Sequence, residues 1–256
     1  MRRDPTLKLE ILTGQATQWV SFVDQYNAKS PWSDTRVRLA ANHAVNWPAI
    51  NEAENLSYAT LTGGIIPRKF AYTLQLEPYG YDPKKAQQLL KDAGYANGFD
   101  AGECSTDTPY ATVVEAIVND LAVVGIRARV RPMERAAMQT AQKEKTVKNL
   151  TRQGSGAFGN AATRIEAFMH SQGAQSFLRD PDIDAWYMQQ VAERDQQKRE
   201  ALLHKIQQKA YDAARFMPIW ESAFLCASGP RVAVSGLHRD SFAYSAPYED
   251  VQLKSA

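Results

Sequence analysis

The chain has 256 residues, of which 44% are hydrophobic and 23% charged, ordinary proportions for a globular protein with a buried core. Its formal net charge is only +2. This argues against nucleic acid as a partner, because nucleic-acid-binding proteins carry a larger and more clustered basic excess. The two cysteines, Cys104 and Cys226, are too few for a disulfide scaffold or a cysteine-rich metal site, and their spacing leaves open whether they pair.

The N-terminal segment lacks the pattern of an export signal. The basic residues 1–3 are followed by Asp4, Lys8 and Glu10, where a signal peptide needs an apolar core. No apolar run along the chain is long enough to span a membrane. Taken alone, these features predict a cytoplasmic location, and a piece of a longer exported protein would show the same pattern.

The first sixty residues predict strands followed by helix. Residues 6–12 alternate apolar and polar side chains and predict a strand, and residues 19–23 predict a second extended piece. Ser33 or Asp34 is expected to cap a helix over residues 37–44. Pro48 then ends this helix or begins another.

The middle of the chain alternates helix and strand. Residues 57–81 are rich in Gly, Pro and Tyr and predict a long irregular loop. Asp82-Pro83 is a strong helix start, and Gly94 ends that helix. The following elements are predicted as a strand over 99–106, a helix started by Thr108-Pro109 and closed by Gly125, a strand over 126–131, a helix over 134–145 and a strand over 147–150. This alternation predicts an α/β fold with a mixed sheet and flanking helices.

The last third is predicted to be mostly helical. After a glycine-rich loop over residues 154–160, Asp180-Pro181 starts a helix whose inward residues include Tyr187 and Val191. Asp195 caps another helix, which must end before Pro218. The remaining residues are expected to be extended.

Gly154, Gly156 and Gly159 have the GxGxxG spacing of dinucleotide-binding folds, in which glycines let the backbone approach a pyrophosphate. The preceding residues 147–153 are too polar for a central parallel strand, which is typically a near-continuous apolar run. The acid downstream, Asp180, is explained as a helix cap. A loop is therefore the favoured interpretation, and a dinucleotide-binding oxidoreductase that uses Gly154–Gly159 is an alternative hypothesis.

No other pattern supports an enzyme. The four histidines lack the spacing of zinc ligands, and no Gly-x-Ser-x-Gly nucleophile turn is present. The alternating Arg127, Arg129 and Arg131 are typical of the solvated face of a strand. We therefore expect no catalytic residue, no metal and no cofactor.

Several segments, taken in order, are similar to one protein family. Residues 26–47 match one of its segments, although Asn46 stands where the family has Asp. The strongest match is YDPKKAQQLLKDAGYANGF at residues 81–99. Weaker matches lie at residues 121–130, 180–184 and 195–220. The set covers nearly the whole chain and resembles the dipeptide, oligopeptide and nickel family (family 5) of ABC-transporter solute-binding proteins.

The resemblance implies the second of two lobes that close on a ligand, with a periplasmic-binding-protein-like fold. It assigns residues 1–222 to this C-terminal lobe and residues 223–256 to an extended tail that returns to the first lobe. It also implies a periplasmic protein that delivers a small peptide-like or anionic solute to an ABC permease, with the first lobe and the export signal outside this chain. A stand-alone interaction module is a further alternative.

The resemblance also suggests ligand contacts. Peptide binders of the family hold the ligand α-amino group with a Trp-x-x-Asp loop, which corresponds here to residues 158–161. Phe158 keeps the aromatic ring, but Ala161 replaces the Asp, so a free amine would lack its charge partner. Arg164 is expected either to hold a carboxylate or phosphate or to be a surface arginine in the first turn of a helix. The predicted ligand-binding residues are Phe158, Asn160 and Arg164.

Overall fold

The computed structural model describes residues 6–156, 159–235 and 248–254. The strands in this part of the chain are β1 (Lys8–Phe22), β2 (Phe99–Asp107), β3 (Ile126–Met133), β4 (Leu150–Ser155), β5 (Phe216–Ser228), β6 (Val232–Val234) and β7 (Gln252–Leu253). The α-helices are α1 (Thr35–Ala44), α2 (Trp47–Asn55), α3 (Pro83–Asp92), α4 (Ala111–Val123), α5 (Arg135–Lys143), α6 (Ala161–Phe168), α7 (Pro181–Ala192) and α8 (Gln196–Asp212). Among the described residues, no helix has both the length and the apolar composition needed to span a bilayer.

Five strands form one mixed sheet in the order β3-β2-β4-β1-β5. Strand β2 is parallel to β3 and β4, whereas β1 is antiparallel to β4 and β5. Helix α4 connects β2 to β3, as a crossover between parallel strands requires. The predicted α/β class, with a mixed sheet and flanking helices, is confirmed.

Aspartate side chains begin four helices, as predicted. The carboxylates of Asp34, Asp82, Asp180 and Asp195 accept hydrogen bonds from first-turn N–H groups of α1, α3, α7 and α8, donors that the helix itself leaves unpaired. Thr108 differs from the prediction. A 3-10 turn precedes α4, and the Thr108 hydroxyl donates to the carbonyl of residue 133 instead of capping the helix.

The sheet separates two apolar cores. Val20 packs on one face with helices α1 to α4, and its neighbour Trp19 packs on the other face with α6 to α8, because successive strand residues point to opposite faces. On α7, Tyr187 is buried as predicted, but the prediction for Val191 is wrong. Val191 is exposed, and Gln190 is buried instead.

The position of strand β4 differs from the sequence prediction. The predicted strand over residues 147–150 and the loop from residue 154 are displaced, since β4 runs from Leu150 to Ser155 between β2 and β1. Its polar side chains are buried because they have partners. Gln153 accepts hydrogen bonds from Trp19 and Ser21, and Arg152 forms an ion pair. Polarity therefore did not exclude a central strand, because buried polar groups are tolerated when they are hydrogen-bonded.

Strands β1 and β5 extend beyond their neighbours as a two-stranded ribbon made of residues 8–13 and 223–228. Strand β1 pairs with β4 only from Thr17 onward, and the β1–β5 register shifts between Thr13 and Thr17. The ribbon therefore leaves the sheet at the edge where the parallel strands β2 and β4 end. Strand β5 runs through residue 222 without a break.

The segment over residues 57–81 is irregular, as predicted, apart from one isolated bridge between Thr60 and Glu221. It lies against β5 and α8. The ring of Tyr79 stacks on that of Tyr211 with centroids 4.8 Å apart, and the Tyr79 hydroxyl donates to the Tyr211 carbonyl at 2.6 Å. These contacts tie the long segment to the body of the fold.

Candidate functional site

A cleft of about 480 Å³ opens at the carboxyl ends of β2 and β4, between the ribbon, helix α5 and the end of α2. In α/β sheets, ligands bind outside the carboxyl ends of the parallel strands. Six amide side chains contribute to the lining of this cleft: Gln18, Asn55, Gln139, Gln142, Gln153 and Gln175. Such a lining offers many hydrogen-bond donors and acceptors beside apolar side chains such as Met138 and Phe224.

Asp107 lines the cleft and pairs with two arginines. Its Oδ1 is 2.9 Å from Nη1 of Arg152, and its Oδ2 is 3.2 Å from Nη2 of Arg135. The arrangement follows from the fold, since Asp107 ends β2, Arg135 begins α5 and Arg152 lies in β4. Arg152 and Asp107 are buried, whereas more than half of the Arg135 side chain is exposed.

The Arg152 guanidinium is held by packing as well as by charge. Its Cζ lies 3.5 Å from the ring centroid of Tyr110, a cation–π contact. A Cβ placed on Gly154 would lie 3.2 Å from Arg152 Nη2, so the glycine leaves room for the guanidinium. Burial lowers the pKa of Arg152, and the nearby Tyr110 and Asp107 oppose that shift.

The charges of the cleft do not cancel. Among the described residues that line it, Asp107 is the one carboxylate, and it faces the two guanidinium groups of Arg135 and Arg152. One positive charge is therefore in excess, in a partly enclosed site where electrostatic interactions are stronger than in water. The arrangement favours an anionic ligand.

Three polar atoms at the cleft are buried without a hydrogen-bond partner among the described residues. They are Oε1 of Gln18, Nδ2 of Asn55 and Nε of Arg152. Gln18 is 7% exposed and Arg152 is 8% exposed. Buried polar atoms are usually paired, so unpaired atoms on residues that line the cleft are candidate ligand contacts.

The sequence-predicted site residues lie elsewhere or outside the described part. Phe158 is not among the described residues. Asn160 caps α6, where its side chain accepts a hydrogen bond from Thr163 N and Thr163 bonds back to it. Arg164 is 3% exposed and its guanidinium faces the Phe70 ring at 5.0 Å, so the expectation of a surface arginine is wrong. Burial lowers the Arg164 pKa to about 10. Neither Asn160 nor Arg164 contributes to the described lining of the cleft.

The glycine motif also has a structural explanation. Gly154 lies within β4, beneath the Arg152 guanidinium. Two first-turn donors of α6 are occupied, since Ala161 N donates to the carbonyl of residue 71 and Thr163 N donates to Asn160 Oδ1. A pyrophosphate would need those donors. The geometry therefore gives the dinucleotide hypothesis no support.

Sequence patterns alone did not point to Gln18, Asp107, Arg135 or Arg152 as site residues. One signal was present: Asp107 follows a predicted strand directly and precedes a helix, a position where α/β proteins place functional residues. Arg152 lies in the segment whose polarity was used to argue against a central strand. Two polar side chains of that segment, Arg152 and Gln153, belong to the lining of the cleft.

Comparisons with known proteins agree on one family. Residues 2–176 match the family model described as bacterial extracellular solute-binding proteins, family 5 Middle. The glutathione-binding protein GsiB of Escherichia coli (strain K12) is 28% identical in an alignment 211 residues long that covers 77% of this chain and 41% of that protein. The chain thus spans about two fifths of the length of the curated relatives it matches.

Solved structures show the same fold. The periplasmic binding protein DppA from Helicobacter pylori, in complex with the peptide STSA, superposes with a TM-score of 0.81 at 23% identity over 99% of this chain and 50% of that one. NikA from Brucella suis, in complex with Fe(III)-EDTA, superposes with a TM-score of 0.85 at 20% identity over 99% of this chain and 54% of that one.

Proposed function

Because the chain belongs to the bacterial extracellular solute-binding proteins of family 5, a membership that confirms the resemblance found in the sequence, we propose that it is one lobe of a binding protein that delivers a solute to an ABC importer. The named relatives are binding proteins for glutathione, peptides or a metal chelate. The proposed role is therefore capture without catalysis.

The excess guanidinium charge beside Asp107 is the observation that carries the proposed solute class. Arg135 presents an exposed guanidinium at the cleft, and Arg152 provides a buried one. Planar guanidinium groups bind carboxylates through paired hydrogen bonds. We propose a small peptide-like or otherwise anionic solute that places a carboxylate against Arg135 and Arg152.

The ribbon supports the two-lobe proposal. It carries the chain away from the sheet at the edge of the cleft, and the cross-strand pair Ile11 and Leu225 on it is 44% and 47% exposed. A first lobe joined to the ribbon would cover such apolar surface and close over the cleft. Residues 1–222 would then form the second lobe and residues 223–256 the returning segment, in a periplasmic protein that meets an ABC permease.

The residues predicted from the resemblance remain part of the proposal. Phe158 follows the cleft residue Gly156 in sequence by two positions, which supports an aromatic contact to the solute. Asn160 contributes by capping α6, which fixes the start of the helix that carries Arg164. The buried Arg164 stays a proposed anion contact that would require its side chain to turn away from Phe70.

Native mass spectrometry of the protein from its own source cells tests the proposal. A mass near twice 28.6 kDa with an anionic small-molecule adduct is the expected result, and the adduct would identify the solute. A mass near 28.6 kDa without an adduct would contradict solute capture. That outcome would favour the alternative of a stand-alone interaction module, in which the exposed pair on the ribbon binds another protein.

A further inference from the structure

Resting on the proposed function, we infer that Gln18 and Asn55 select a solute in which an amide group, and not a free amine, lies next to the carboxylate. An N-acylated amino acid or an N-blocked short peptide has this chemistry. The inference concerns which anionic solute the cleft prefers.

Gln18 lies close to the proposed carboxylate site. Gln18 of β1 is the direct cross-strand partner of Gly154 in β4, and Arg152 lies two residues before Gly154 on the same face of the sheet. Such diagonal neighbours are about 7–8 Å apart, within reach of long side chains. One compact solute can therefore contact both side chains.

A hydrogen bond orients the amide group of Gln18. Its Nε2 donates to Ser222 Oγ at 2.9 Å, while its buried Oε1 has no partner among the described residues. The bond to Ser222 of β5 orients the amide, so Oε1 presents an acceptor. Asn55 at the end of α2 presents the complementary group, a buried Nδ2 donor without a described partner. An amide of the solute supplies an N–H for the first and a carbonyl for the second.

The described lining of the cleft offers no carboxylate free to pair with an ammonium group. Asp107 is the one acid in the described lining, and both of its oxygens are taken by Arg135 and Arg152. A charged amine brought into this cleft would lose its hydration without a counter-charge from this lobe and would face two guanidinium groups, which is costly. A neutral amide avoids that cost.

Calorimetric titration tests the inference with three probes: N-acetyl-Ala-Ala, Ala-Ala and N-acetyl-Ala-Ala-amide. The protein is used at the length recovered from its source cells. We expect N-acetyl-Ala-Ala to bind at least about tenfold more tightly than Ala-Ala, because only the free peptide buries an unpaired ammonium. The carboxamide should not bind, because it lacks the group that pairs with the arginines.

Two variants separate selectivity from stability. Gln18→Glu places a carboxylate at the proposed amide contact and should reverse the preference in favour of Ala-Ala. Gln87→Glu makes the same change on the exposed face of α3 and should leave the preference unaltered. If an added negative charge reversed the preference wherever it lay on the protein, the reversal would appear in both variants.

The outcomes distinguish this inference from the function on which it rests. Equal or tighter binding of Ala-Ala by the unaltered protein would overturn the inference and leave solute capture intact. Failure of all three probes to bind would also overturn it. Solute capture would then stand only if the native protein carries an anionic adduct, and without an adduct both proposals fail.

Discussion

Two buried arginines, Arg38 on α1 and Arg152 on β4, show how the same side chain serves the body of the fold and the cleft. Arg38 is 1% exposed and has no carboxylate partner in the described structure. Its acceptors are the carbonyls of Trp32, Ser33, Ala213 and Ala214 and the hydroxyl of Thr35. Each of its three nitrogens thus has partners.

Arg152 is almost as deeply buried but less completely paired. It has one carboxylate partner, Asp107, one aromatic partner, Tyr110, and an Nε that bonds to no described residue. Burial alone therefore does not distinguish a charged side chain that stabilises the fold from one that can bind a ligand. The distinction lies in whether the hydrogen-bonding capacity is used up, because the remaining capacity can serve a ligand.

The largest expected effect on stability comes from replacing Arg38, whose three nitrogens all have hydrogen-bond acceptors. Arg38→Met should lower the free energy of unfolding by about 4–5 kcal/mol, because several buried carbonyls at the end of α8 and before α1 lose their donors. Urea denaturation measures this. The matched change Arg129→Met removes an exposed ion pair and should leave the midpoint unchanged. An unaltered midpoint in Arg38→Met would refute the structural role.

Removing the carboxylate of Asp107, which Arg135 and Arg152 share, should have the next largest effect on stability. A bound anion should offset part of that loss. Asp107→Asn should lower the unfolding free energy by about 3 kcal/mol, since Arg152 stays buried without its counter-charge. Added acetate should raise the melting temperature of this variant more than that of the parent protein. The control Asp100→Asn on the exposed edge should respond to acetate as the parent protein does. An acetate response equal in all three proteins would contradict a binding role for the Arg152 site.

Gly154 provides a smaller and more local test. Gly154→Ala brings a Cβ to 3.2 Å from Arg152 Nη2 and 3.3 Å from the Thr17 carbonyl. We expect a stability cost of about 1 kcal/mol and a roughly tenfold weaker binding of N-acetyl-Ala-Ala, because the guanidinium must shift. Gly80→Ala, where a Cβ meets nothing within 4 Å, should change neither. Unchanged affinity in Gly154→Ala would show that the position of Arg152 does not matter for binding.

The smallest effect concerns a buried carboxylate beside the ribbon. Burial raises the pKa of Glu221 above its ordinary value of 4.5, although Arg68 N donates to its Oε1 at 2.7 Å and opposes the shift. The folded state therefore holds this proton more tightly than the unfolded state. The resulting contribution to stability is complete below pH 4.5 and is lost as the pH rises through the higher folded value.

Glu221→Gln removes this titration. The unfolding free energy of the parent protein should fall relative to that of the variant as the pH rises from 4.5 to about 7, as measured by urea denaturation at a series of pH values across that range. A difference that stays constant with pH would show that Glu221 has the same pKa in the folded and unfolded states.

Local sequence signals determined much of the fold. The aspartates at positions 34, 82, 180 and 195 indicate helix starts because a carboxylate satisfies first-turn N–H groups using only the neighbouring residues. The alternation of residues 126–131 indicates a half-buried strand for an equally local reason. The family resemblance depends on such segments, because each of them can be recognised from a short stretch of neighbouring residues.

The cleft is formed by residues that are far apart in the sequence. Arg135 and Arg152 reach Asp107 from positions 28 and 45 residues away, and Gln18 meets Ser222 across 204 residues. The prediction misplaced β4 because its polar side chains look unsuitable for a sheet interior until their partners are known. Short stretches of neighbouring residues were enough to indicate most helix starts, the α/β class and the family, because those signals are local. Only the tertiary structure shows which charged side chains have all their hydrogen bonds made within the fold and which line the cleft. The reason is that their pairing depends on where strands distant in sequence end.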